Sequence, residues 1–168
     1  MIEVRVKDAA LRQAAGKGMD AFLQVFINAT KEAIGGHLTA ENMGELNTHQ
    51  ITLLAYDMMR EEVMEGGFVQ LIHNGLGSFI FLNPFAKVLK LWGLKDLSKM
   101  IYNVRSLYGQ HHEEIEQDCS DEEFMALYEK FPEFEEYDDD FVENEETWTE
   151  MLARYVDENI EKFATIDE

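Results

Sequence analysis

The last third of the chain decides the fold, and from Ser120 to Phe163 it runs SDEEFMALYEKFPEFEEYDDDFVENEETWTEMLARYVDENIEKF. Nine of the nineteen Phe, Trp and Tyr residues in this 168-residue protein lie after residue 110, and most of them are three, four or seven positions apart. That spacing places the rings on one side of a helix. A solvated acidic tail would lack such aromatics, so we expect folded helices with their carboxylates facing outward.

Charge is divided unevenly along the sequence. Residues 1–110 contain 11 Lys and Arg and 11 Asp and Glu, whereas residues 111–168 contain 3 and 23. The second part therefore carries the whole formal net charge of -20. General tuning of solubility would spread acidic residues over both parts, so the partition indicates a specialised anionic surface. Such a surface argues against direct binding of nucleic acid and favours a basic partner.

Helix start and stop signals recur along the rest of the chain, with only 2 Pro to interrupt them. Ile2, Val4 and Val6 alternate as one short extended segment would. We predict an all-α fold, a compact multi-helix single domain over residues 1–168, with at most that one short N-terminal extended segment. The predicted helices cover residues 19–34, 48–65, 68–74, 84–93, 95–116, 120–129 and 145–163.

Specific residues mark the ends of several predicted helices. Gly35-Gly36 and Gly66-Gly67 stop the first and second helices. Asn47 or Thr48 caps the second, and Asn83 is predicted to cap a helix that has Pro84 at its first position. Ser120 and Glu123 have the spacing of a capping box.

Carboxylates follow one side of the last predicted helix. Trp148, Leu152 and Val156 share the opposite, apolar side. At the rise of an α-helix, Glu146 to Glu161 gives a row of carboxylates about 22 Å long. Twenty net charges equal those of about 34 Å of duplex DNA, close to the ~40 Å that a domain of this size spans. We predict a partner-binding acidic face formed by Glu135, Glu136, Asp138, Asp139, Asp140, Glu143, Glu146, Glu150, Asp157 and Glu161.

Residues Glu65-Gly66-Gly67-Phe68-Val69-Gln70, followed by Asn74-Gly75, resemble the acidic DNA-mimic protein family, in which a Gly-Gly-Phe-x-Gln motif recurs. Residues 134–141 and 153–163 resemble two further segments of that family. The resemblance thus covers about residues 47–163, with Glu65 where Asn is usual and Tyr137 where Leu is more common. It implies an all-α fold. For the characterised type it also implies a dimer whose acidic face occupies the DNA-binding surface of a helix-turn-helix transcription factor.

The shared motif has a structural interpretation. Gly66 and Gly67 would supply a left-handed helix ending and a close turn. Phe68 would anchor this turn in the core, and Gln70 and Asn74 would satisfy buried backbone groups. The motif is therefore expected to build the fold, whereas the binding target depends on the rest of the surface.

No pattern of catalytic residues stands out. His111-His112-Glu113-Glu114 lacks the two His four positions apart that a zinc protease motif needs. Asp138-Asp139-Asp140 is not followed by the glycine of a calcium-binding loop. Gly16-Lys17-Gly18 lacks the remaining spacing of a phosphate-binding loop. We therefore expect no enzyme activity, no catalytic residue, no metal and no cofactor.

Three functions fit these patterns. The first is a DNA-mimic regulator that binds a basic DNA-binding protein, and the second is an immunity or antitoxin-like inhibitor of a basic nuclease or toxin. The third is a small-ligand binding module near residues 66–85, where the apolar run from Leu76 to Phe85 forms core or the interface of a homodimer. The single Cys119 and the absence of a signal sequence or membrane span predict a cytoplasmic protein.

Overall fold

Helices make up most of the computed structural model, which describes all residues 1–168 and confirms the all-α prediction. The α-helices are α1 (Asp8–Ala15), α2 (Met19–Ala33), α3 (Thr48–His73), α4 (Gly77–Phe81), α5 (Phe85–Leu91), α6 (Lys95–Ile115), α7 (Asp121–Lys130) and α8 (Glu135–Glu158). Two short strands, β1 (Arg5–Lys7) and β2 (Thr165–Asp167), form the only sheet. Short 3-10 turns occupy Met43–Glu45, Pro132–Phe134 and Ile160–Lys162.

The chain forms two compact units. The first contains residues 1–54 and 147–168, and the second contains residues 55–146. The second unit holds 22 Asp and Glu against 7 Lys and Arg, a net charge of -15, so most of the surplus negative charge belongs to it. The assignment of residues 1–168 to a single domain stays a prediction.

The two strands pair the N-terminal and C-terminal segments of the first unit with each other. β1 pairs in parallel with β2, with Arg5 opposite Thr165 and Lys7 opposite Asp167. Val4 and Val6 are buried, as their alternation in the sequence predicts. The Arg5 guanidinium lies 2.6 Å from the Asp167 carboxylate, and this hydrogen-bonded pair lowers the pKa of Asp167.

A reciprocal cap begins α3 in this unit. The Asn47 side chain accepts a hydrogen bond from the Gln50 amide at 2.8 Å, and the Gln50 side chain accepts one from the Asn47 amide at 3.0 Å. Two unpaired N–H groups of the first helical turn are thereby satisfied. Gln50 also donates to the Phe163 carbonyl at 2.9 Å, so the cap fixes the helix to the buried C-terminal aromatic.

In the second unit α4, α5 and α6 pack together. Phe81, Leu89 and Leu97 are buried there, and Ser98 donates to the Ala86 carbonyl at 2.7 Å. The predicted Asn83 cap is wrong, because Pro84 itself precedes the first residue of α5. The Asn83 side chain instead donates back to the Phe79 carbonyl at 2.9 Å, at the end of α4.

The apolar run from Leu76 to Phe85 is mostly core. Ile80, Phe81 and Phe85 are buried, whereas Leu82 is 61% exposed. Leu76 and Phe79 lie between these extremes. Of the two roles predicted for this run, core and homodimer interface, core describes most of its residues.

Two of the predicted helices at the acidic end differ in outcome. The Ser120–Glu123 capping box is present and begins α7. The helix predicted over residues 145–163 is wrong at both ends, because α8 begins at Glu135 and ends at Glu158. Asn159 leaves helical geometry, and a 3-10 turn follows.

None of the helices combines the length and the apolar character needed to cross a bilayer.

Candidate partner-binding site

The Gly66-Gly67 pair produces a kink within α3. Gly67 has φ 75° and ψ -175°, a backbone conformation that residues other than glycine rarely adopt. A Cβ atom on Gly67 would also overlap the Asp138 carboxylate, and a Cβ atom on Gly66 would overlap the Gln70 side chain. The backbone angle and the close approach of Asp138 require glycine at 67, and the Gln70 side chain requires it at 66.

Asp138 caps the helical segment that follows the kink. Its Oδ1 atom accepts a hydrogen bond from the Phe68 amide at 2.8 Å, and the Phe68 ring behind that amide is fully buried. Burial, aided by the nearby negative charges of Asp139 and Glu135, raises the pKa of Asp138 to about 6 against the opposing effect of this hydrogen bond. Asp138 is therefore a carboxylate of α8 that serves the interior of the second unit.

The prediction that Gln70 and Asn74 satisfy buried backbone groups is wrong, because both bind a side chain. Both donate to the same Oε2 atom of Glu62, each at 2.9 Å. Glu62 precedes the kink and the two amides follow it, so one carboxylate joins both sides of the bend. Local sequence patterns assume an unbroken helix and do not relate residues across such a kink.

Four exposed carboxylates lie on one side of α8 within the second unit, and we call them the acidic helix face. At 100 degrees per residue they fall within about 80 degrees of one another, at successive axial steps of about 6, 6 and 4.5 Å. Asp138 lies about 100 degrees from the centre of this group, toward the interior. The four residues are Glu135, Asp139, Glu143 and Glu146.

The other predicted acidic residues are also exposed. Glu136 and Asp140 lie on α8 beside the acidic helix face, and Glu150 and Asp157 lie on the part of α8 that belongs to the first unit. Glu161 lies in the 3-10 turn after α8, so the helical row predicted from Glu146 to Glu161 ends at Asp157. Arg154 pairs with Glu150 at 3.2 Å and reduces the negative charge there.

Buried contacts fix the part of α8 that carries the acidic helix face. Phe134 and Phe141 are fully buried on the inner side. Glu145, on the same inner side, pairs with Arg60 of α3 at 2.6 Å, with both side chains largely covered. A half-buried, charge-assisted pair of this kind orients a helix more firmly than an exposed one. The carboxylates are therefore presented from a packed helix.

The two adjacent histidines of α6 contact separate carboxylates. His111 lies 3.2 Å from Glu133, and His112 lies 3.3 Å from Glu116. No group of three or more His, Cys, Asp or Glu side chains converges as metal ligands do.

Comparison with known proteins identifies the family to which this chain belongs. Residues 44–159 match the model of a family described as DMP19-like protein, and this range contains the kink and the acidic helix face. The chain belongs to the DMP19-like protein family. A relative within it, the DNA mimic protein DMP19 of Neisseria meningitidis serogroup B, is 39% identical over 127 residues. The matched region covers 75% of this chain and 77% of that relative.

Membership of the DMP19-like family confirms the resemblance drawn from the sequence. Several contacts around the kink of this DMP19-like chain were not predicted from its sequence. The contacts of Glu62 with Gln70, of Tyr128 with Gly66 and of Arg60 with Glu145 join positions 8, 62 and 85 residues apart, so they form only in the folded unit. The contact between the Phe124 and Tyr128 rings is different, because their spacing of four residues on α7 predicts that both lie on one side of the helix.

Proposed function

We propose that this protein is a DNA mimic, and that it binds the DNA-binding surface of a basic protein through the acidic helix face. The single observation that carries the proposal is the row of four exposed carboxylates on a packed helix, in a unit of net charge -15. Axial steps of about 4.5 to 6 Å between carboxylates give a linear array of separated negative charges, as a nucleic-acid backbone does.

The family supports this proposal, because the Neisseria relative is named a DNA mimic protein. We extend it to the type of target: a helix-turn-helix transcription factor presents a recognition helix and flanking cations to DNA, and the acidic helix face offers those cations an alternative partner. Nine of the ten residues predicted for the partner-binding acidic face are exposed, the exception being Asp138. They are Glu135, Glu136, Asp139, Asp140, Glu143, Glu146, Glu150, Asp157 and Glu161.

Competition with DNA tests the proposal. The purified protein is used to capture proteins from a lysate of its source organism at low and at high salt, and captured proteins are then tested for release of their DNA in a mobility-shift titration. We expect capture of a DNA-binding protein that weakens steeply with salt, and release of its DNA as this protein is added.

A matched pair of variants provides the control. Glu135→Gln, Asp139→Asn, Glu143→Gln and Glu146→Gln together remove the acidic helix face. A second variant removes four exposed acidic residues at other positions, Glu3, Glu32, Glu41 and Glu168. Equal loss of DNA release in both variants would show that net charge alone acts, and would contradict a defined binding face.

A further inference from the structure

An open depression of about 490 Å³ lies beside the kink of α3, wholly within the second unit. Its volume is within the range of ligand-binding pockets in proteins. The lining combines residues of α3, α7 and α8: Glu65, Gly66, Gly67, Gln70, Phe124, Met125, Tyr128 and Asp138.

The polar side chains of this depression offer acceptor oxygens. The Tyr128 hydroxyl already donates to the Gly66 carbonyl at 2.7 Å, and the Gln70 amide nitrogen already donates to Glu62. Asp138 uses Oδ1 for the Phe68 amide, which leaves its Oδ2 atom. With the Glu65 carboxylate at the rim, the depression suits a ligand that donates hydrogen bonds and bears positive charge.

Aromatic and apolar side chains form the remaining wall of the depression. The Phe124 and Tyr128 rings meet edge to face with their centroids 5.5 Å apart, and Met125 is 62% exposed beside them. Such a wall accepts a planar cation on a ring face and an aliphatic stem along the methionine. Guanidinium fits better than ammonium, because its flat fork can stack on a ring and bind a carboxylate at the same time.

Asp138 has no positively charged side chain paired with it. It is partly buried, and the charged groups that act on it, Asp139 and Glu135, are both acidic. A partly buried carboxylate surrounded by negative charge is stabilised when a cation approaches.

We propose that this depression receives one arginine side chain of the basic partner, with the guanidinium between the Asp138 carboxylate and the Phe124–Tyr128 wall. The choice of a protein side chain as the occupant rests on the proposed function. The depression then fixes one position of the partner, while the acidic helix face supplies attraction spread along α8.

Titration of the full-length protein with N-acetyl-arginine N-methylamide tests this directly. The amide resonances of Gly66, Gly67 and Phe68 are followed by NMR, and the uncharged citrulline analogue serves as the matched probe. We expect saturable shifts at these amides with the arginine compound and at least about tenfold weaker binding of the citrulline compound, the difference that one charge-assisted contact makes. Equal binding of the two probes, or shifts confined to α8, would overturn the assignment.

Two aspartates of the second unit provide matched variants. Asp138→Asn keeps an acceptor for the Phe68 amide and removes the charge, and we expect it to weaken arginine binding about tenfold. Asp96→Asn removes one exposed charge of α6 outside the depression, and we expect less than about a twofold effect because exposed charges are screened. Equal effects of the two variants would overturn the proposal.

Phe124→Leu is a second variant that leaves the Asp138–Phe68 hydrogen bond untouched. It removes the ring, keeps an apolar side chain, and is expected to weaken arginine binding severalfold. Unchanged binding would remove the ring wall from the proposal and so overturn it. None of these titrations contains the basic partner, so a failure of DNA release in the capture experiment leaves them unaffected, and the reverse also holds.

Discussion

At the scale of single residues, Gly67 is the position where a substitution should cost most for its size. Alanine there would strain a backbone at φ 75° and place a Cβ atom against Asp138. We expect Gly67→Ala to lower the free energy of unfolding by about 2 kcal/mol or more, measured by urea denaturation. Gly109→Ala is the control, because Gly109 lies in the exposed middle of α6 with open space around it. It should raise stability by about 0.5–1 kcal/mol.

Asp138 gives the stability of the protein a characteristic dependence on pH. Its pKa is about 6 in the folded protein against an ordinary 3.8, so between these values the folded state binds more protons than the unfolded chain. The contribution of Asp138 to the free energy of unfolding therefore falls as pH rises from about 4 to about 6. Asp138→Asn removes this titration and should gain stability relative to the natural protein as pH rises through 6.

Urea denaturation across this pH range measures the effect. Asp96→Asn, at an exposed position of α6, is run in parallel and subtracts the general effect of removing one negative charge from a protein of net charge -20. A difference between Asp138→Asn and the natural protein that does not vary with pH would contradict the burial argument.

At the scale of secondary structure, the capping box of α7 is the clearest local device. Ser120 accepts a hydrogen bond from the Glu123 amide at 3.1 Å and stands at the start of a helix whose buried residue is Leu127. We expect Ser120→Ala to lower the unfolding free energy by about 1 kcal/mol, measured by thermal and urea denaturation. Ser106→Ala, on the exposed side of α6, should change it by less than about 0.5 kcal/mol. Similar losses in both would mean that the cap contributes nothing.

Capping residues and apolar periodicity predicted most helices, because both act over three or four positions. The Asn47 and Ser120 caps and the stop at Gly35-Gly36 belong to this class. α1 escaped prediction because only Leu11 and Ala14 of its eight residues are buried, too few to form a recognisable stripe. The first ten residues of α8 escaped because Phe141 is the one buried apolar side chain among many carboxylates.

The candidate site was predictable in composition and less so in geometry. The excess of carboxylates after residue 110 and their exposure on α8 follow from charge and helix period. The inward position of Asp138 does not, because its contact with Phe68 joins residues 70 positions apart. Only the packing of α8 against α3 decides which of the three consecutive aspartates, Asp138 to Asp140, faces inward.

At the scale of the whole molecule, net charge should make stability depend on salt. A net charge of -20 opposes the compact state through self-repulsion. Salt at about 0.15 M screens charges beyond ~8 Å, so we expect Tm to rise by about 3 °C or more between very low salt and this concentration. Calorimetry on the natural protein and on the Asp139→Asn, Glu143→Gln, Glu146→Gln variant measures the effect, and the variant should respond less. A salt-independent Tm would contradict the self-repulsion argument.

The inward aspartate divides α8 into positions with different evolutionary freedom. Any exposed Asp or Glu of the acidic helix face can drift to a neighbouring position in a lineage while the overall charge is kept. Asp138 and Gly67 have no such latitude, since Asp138 caps the Phe68 amide and lies where a Cβ atom on residue 67 would be. Phe68 is held separately by the complete burial of its ring. Among descendants of a common ancestor, these three sites should stay unchanged while the exposed acidic positions of α8 are replaced more often.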